Sequence, residues 1–95
     1  LFNSYDFVLM APSAVPAFPH DDTPMPQRTL TVNGAPVSVD AVLAYAGTVT
    51  FPGLPSTVLP VGAAGHLPVG MQVIGPGHAD RDCIAMATAI GQLLR

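Results

Sequence analysis

The sequence predicts an α/β fold that belongs to a larger domain than these 95 residues can complete. Three observations carry that expectation. Three short apolar runs, "DFVLMA", "STVLPV" and "VGMQVIG", read as strands, and "DRDCIAMATAIGQLLR" reads as an amphipathic helix. The chain is also 49% apolar and only 9% charged, whereas folding at this size buries only about 60 to 65% of the surface an unfolded chain exposes. Much of what remains outside should therefore meet more protein.

The elements follow in order. "DFVLMA", Asp6 to Ala11, is a continuous apolar run ended by Pro12, which suits a strand buried on both faces. Residues 12–28 place proline at positions 12, 16, 19, 24 and 26. Each lacks an amide donor and disfavours helix in its predecessor, so this stretch is an extended surface connection. "TLTVNGAPVSV", Thr29 to Val39, alternates around Asn33-Gly34, a pair suited to the positive φ angles of a tight turn, and predicts a small hairpin or β-arm. Asp40 is positioned to cap a short helix over "AVLAYAG", with Gly47 as its stop. In "STVLPV", Pro60 points to an edge strand or a bulge, or to the end of the ladder. In the helix over residues 80–95, Cys83, Met86, Ala87, Ile90 and Leu94 lie on one side at about 100° per residue, with Arg81, Thr88 and Gln92 opposite. Asp80 is its expected cap, and Arg95 suits the negative end of its dipole.

Composition excludes several functions. Apolar content this high rules out a disordered tail. No apolar run approaches the roughly 20 residues a transmembrane helix needs, so no membrane partner is expected. "LFNSYDFVLM" lacks the basic start and cleavage site of a signal peptide, and without an initiating Met the expectation is that Leu1 is a processing, cloning or cleavage boundary. With formal charge -3 and three scattered arginines, the chain has no basic surface for nucleic acid. A single cysteine, Cys83, forbids an internal disulfide and fits a cytoplasmic setting.

The succession "YDFVLMAPSAVPAFPHD", "RTLTVNGAPV", "GLPSTVLPVG" and "LPVGMQVIGPGHADRDCIAMA" resembles the C-terminal part of amidase signature enzymes, bacterial amidases in particular. The likeness runs along nearly all of the chain, and its most specific piece is the order GLP, VLPVG, LPVG-MQVIG with "DRDC" opening a helix. Members usually carry Gly before the Leu67-Pro68 pair, where this chain has His66, and commonly Ala after Leu54-Pro55, where it has Ser56. The first departure suggests a different turn, since His tolerates positive φ poorly. The resemblance implies a mixed-sheet α/β/α sandwich of which residues 1–95 are the C-terminal fragment, incomplete alone. It also implies hydrolysis of a carboxylic amide through a serine acyl-enzyme, with a nucleophilic Ser activated by a second Ser and a Lys and an oxyanion held by backbone amides. Those parts precede this region in the family. The chain contains no Lys, and Ser4, Ser13, Ser38 and Ser56 stand isolated, so no catalytic residue is assigned.

The resemblance further implies that the stretch before the GLP motif borders the acyl pocket, which makes Tyr45, Thr48 and Phe51 the candidate substrate-binding residues; the alternative is that they pack in a core. The expected partners are the N-terminal part of the same enzyme and a small-molecule amide, with a second copy of the chain as a further candidate and with no cofactor and no metal. His20, Asp21 and Asp22 have metal-ligand chemistry but sit in a proline-rich loop without a second ligand pair. Ser13 or Ser56 could nominally join His66 or His78 in a triad, yet neither lies in a GxSxG elbow. Cys83, near a helix start and beside Arg81, is either an activated thiol or a buried inert one. Gly75-Pro76-Gly77 lacks the spacing of a phosphate-binding turn. Two other readings are an amidase subunit of a tRNA-dependent amidotransferase, and a non-enzymatic module whose "AVPAFPHDDTPMP" is read as an extended peptide.

Overall fold

A computed structural model describes all residues from Leu1 to Arg95. Its strands are β1 (Val8–Met10), β2 (Thr29–Val32), β3 (Ala35–Ser38), β4 (Ser56–Ala64) and β5 (Leu67–Ile74). Its helices are α1 (Val39–Val42), α2 (Ala44–Gly47) and α3 (Asp80–Leu93), with a 3-10 turn at Met25–Gln27. The architecture is α/β, with helices set against antiparallel sheet. β5 is the central strand of a three-stranded sheet ordered β1-β5-β4, and β2 and β3 form a separate hairpin.

The β4–β5 pair sets the apolar runs "STVLPV" and "VGMQVIG" side by side. Ala64 pairs with Leu67, leaving Gly65 and His66 as a two-residue turn. Only Gly65 takes positive φ there, at 63°, which is the pattern of a turn with glycine in its first central position. His66 is thus accommodated without entering the left-handed region; the strained histidine is His78, at φ 67° in the loop before α3. Midway along β4 the ladder slips between Pro60 and Gly62, a bulge where proline has no amide to donate. Asn33 and Gly34 both take positive φ and close the β2–β3 hairpin.

Two capping expectations are corrected. α1 is capped by Ser38, whose Oγ accepts from the Asp40 N–H at 3.3 Å, and Asp40 lies inside the first turn instead. The N-cap of α3 is Ala79, with no side-chain hydrogen bond; Asp80 and Asp82 occupy the first turn, where their charges favour the helix dipole. Arg95 lies beyond the C-cap Leu94. The first strand is also shorter and more open than expected: β1 has three residues and forms a sheet edge, with Leu9 50% exposed.

The core is thin. Leu59, Val73 and Ala87 form its buried centre, flanked by Phe7, Val61, Met71, Met86 and Ile90, so α3 covers one face of the sheet. Only 10 of 95 residues are buried, and the accessible surface is 6734 Å². A compact monomer of 9.8 kDa exposes about 5,200 Å². The radius of gyration is 15.0 Å, against about 12 to 13 Å for a compact domain of this length. No helix is long and apolar enough to cross a membrane.

Candidate functional site

The residues facing away from α3 carry the most organised polar feature of the chain. Register places Met10, Val58 and Gln72 side by side across the three strands. Gln72 is 2% exposed and is the single buried polar side chain. An unpaired carboxamide at such a position would be costly, and this one is fully engaged. Its Oε1 accepts from the Ser56 hydroxyl at 2.9 Å, and its Nε2 donates to the Ala11 carbonyl at 3.1 Å and the Tyr45 carbonyl at 2.9 Å. Three chain segments thereby meet on one side chain.

One of them is the arm that begins in α2. Tyr45 lies in that helix and is 40% exposed. Thr48 is its C-cap, and the Thr48 hydroxyl donates to the Ala44 carbonyl at 2.9 Å, four residues back. Tyr45 and Thr48, three apart, share a helix side. Phe51 follows in a succession of turns and is wholly exposed, while Val49 is buried. The arm closes on itself through the Leu54 N–H, which donates to the Val49 carbonyl at 3.0 Å. The three candidate residues therefore stand on one exposed arm, held from beneath at Tyr45. None of them lines a hollow of this chain.

The remaining candidates resolve into structural roles. Asp21 accepts from the Thr23 N–H at 2.9 Å, and its carboxyl is held below the usual carboxylate range first by the Thr23 hydroxyl, then by that amide. Arg28 adds to the effect and itself donates to the Thr23 carbonyl. An open hollow of about 680 Å³ lies beside them, bordered by Phe18, His20, Asp22 and Leu30. No three His, Cys, Asp or Glu side chains converge as a metal site. Ser13 accepts from the Val15 N–H and Ser56 donates to Gln72; neither bonds a histidine. Cys83 is wholly buried, and burial pushes its thiol above the ordinary value, with Asp80 and Asp82 acting the same way. The helix start and Arg81 do not activate it.

Gln72 is the residue the sequence reading missed. Its signal was present: one amide side chain inside the apolar run "VGMQVIG", where a strand with both faces covered must find that amide a partner.

Comparison with curated proteins gave no significant match. The family model described as Amidase matches residues 1–84, from the segment before β1 through the first turn of α3. That span includes the β4–β5 pair, Gln72 and the whole Tyr45–Phe51 arm. The chain belongs to the amidase family, a family of amide hydrolases.

Proposed function

We propose that these residues are the C-terminal structural segment of an amidase that cleaves carboxylic amide C–N bonds through a serine acyl-enzyme, its Ser-Ser-Lys set lying in polypeptide that precedes Leu1. In such a reaction the serine oxygen bonds to the carbonyl carbon as the C–N bond breaks. The nitrogen leaves with a proton, and water then hydrolyses the ester. The observation that carries the reading is family membership in a chain where three of the four serines are already engaged in hydrogen bonds. It has no lysine, Ser13 and Ser38 accept backbone amides, and Ser56 is bonded to Gln72.

The segment's contribution is then architectural. Its surface exceeds that of a compact monomer by roughly 1,500 Å², about twice what one partner loses in a standard interface, which supports docking against the N-terminal part of the same enzyme. Tyr45, Thr48 and Phe51 form the acyl side of a pocket whose opposite wall and chemistry come from that part. A second copy of the chain is the other surface that could cover exposed apolar strand. The lone buried thiol suits a cytoplasmic enzyme.

The test is covalent labelling of the intact enzyme with a fluorophosphonate, followed by peptide mapping. The label is expected on a serine outside residues 1–95, and the isolated 95-residue chain is expected to release no ammonia from amides. Label on Ser4, Ser13, Ser38 or Ser56, or turnover by the isolated chain, overturns the proposal.

A further inference from the structure

The three bonds of Gln72 reach groups that otherwise lack partners. α2 ends at Gly47, so the Tyr45 carbonyl is among those a four-residue helix leaves unsatisfied. Ala11 lies just past β1 and precedes a proline, outside the ladder with β5. Ser56 opens β4. These partners are separated from Gln72 by 27, 61 and 16 residues. The Tyr45 bond is the one side-chain hydrogen bond between the arm and the sheet; the arm's other bonds are local to it. The rigid half of the contact is clear, because Gln72 sits between Met71 and the fully buried Val73 on the central strand.

We propose that Gln72 is a positioning residue for substrate selection: by fixing the Tyr45 backbone to the central strand, it sets how far Tyr45, Thr48 and Phe51 stand over the sheet, and so which acyl groups the amidase admits. This rests on the reading that the arm walls the acyl pocket. Gln72 need not touch substrate. A carboxamide suits the task because two N–H donors reach two carbonyls while the oxygen takes the serine hydroxyl, a set that neither Glu nor Leu supplies. Holding an exposed arm at one backbone point removes freedom that a ligand would otherwise have to quench on binding.

The experiment compares Gln72→Leu, Ser56→Ala and Tyr45→Ala in the intact enzyme, using amides of a small aliphatic acid and of a bulky aromatic acid. Hydrogen exchange is followed over residues 43–54. Gln72→Leu is expected to raise KM for the bulky amide about ten-fold relative to the small one, the equivalent of losing one to two hydrogen bonds. The drop in kcat for the same substrate should be smaller. Exchange at the Gly47 and Leu54 amides should quicken while that of α3 stays unchanged. Ser56→Ala, which leaves both carboxamide donors in place, should move the ratio the same way by a smaller factor and carries the test if Gln72→Leu fails to fold. Unchanged exchange in the arm, or faster exchange with an unchanged acyl ratio, overturns the role of Gln72. A ratio that Tyr45→Ala also leaves unmoved removes the wall itself; one moved by Tyr45→Ala but not by the Gln72 or Ser56 variants overturns the tether alone.

Discussion

Gly75 lies where β5 hands over to the loop before α3, and a Cβ built there would fall 2.6 Å from the Cys83 Sγ, 3.5 Å from the Ala79 Cβ and 3.6 Å from Phe7 Cε1. The φ angle is not the constraint at this position; the space is. That distance is well inside ordinary van der Waals contact, so Gly75→Ala must displace the thiol or shift the start of α3 away from the sheet. Neither move is free, because Cys83 is wholly buried and the Gly75 N–H is committed to the Pro55 carbonyl at 3.1 Å. Overpacking of this kind costs about 1–3 kcal/mol, which moves a urea midpoint by roughly 1 M at the denaturant sensitivity of small domains. Cys83→Ala removes the clashing atom. The double variant Gly75→Ala/Cys83→Ala should therefore be more stable than the sum of the two single losses by at least ~1 kcal/mol. Urea denaturation of the four proteins, followed by circular dichroism, measures the coupling. Additive losses, or a Gly75→Ala protein as stable as the parent, would refute the packing account.

Cys83 should resist a thiol reagent until denaturant opens the core, and labelling at the native rate of a free surface thiol would contradict its burial. Since its folded pKa is raised, the thiol's contribution to stability is complete below the ordinary value of about 8.5 and is lost as pH climbs through the higher folded one. The stability advantage of the parent over Cys83→Ala should narrow as pH rises above that ordinary value, as denaturation curves across the alkaline range would report. Asn33→Ala should destabilise the β2–β3 hairpin by about 1 kcal/mol, because alanine tolerates φ of 54° less well than asparagine; faster exchange of the β2 and β3 amides is the readout. Ser38→Ala should cost about 1 kcal/mol through loss of the cap on α1, with Ser38→Asp retaining most of it, as thermal denaturation would report.

Much of this architecture was legible in residue order. The Asn33-Gly34 turn, the proline bulge in β4 and the span of α3 each follow from local chemistry, where a dihedral preference or a missing amide decides the outcome. Cap positions were less legible. Ser38 and Asp40 are both good caps, and which one serves depends on where the β3 ladder releases the chain. Asp80 lost its role because the loop enters α3 through His78 and Ala79, a backbone path that no periodicity encodes. The openness of β1 was hidden for a different reason. An apolar run says that a strand should be covered, and says nothing of whether the covering lies within the same residues. The Gln72 cluster needed three segments brought together across as many as 61 positions, so only the oddity of an amide in an apolar strand could announce it.

The tight Gly65-His66 connection has a consequence for how the chain assembles. β4, β5 and α3 are consecutive in sequence and their contacts close over short loops, so this unit forms with little entropic penalty and can lead. β1 must instead return across more than half the polypeptide to reach β5, with the Ala11–Gln72 bond as its latch. On a nascent chain whose earlier segments emerge first, β1 stays unpaired until β5 is made.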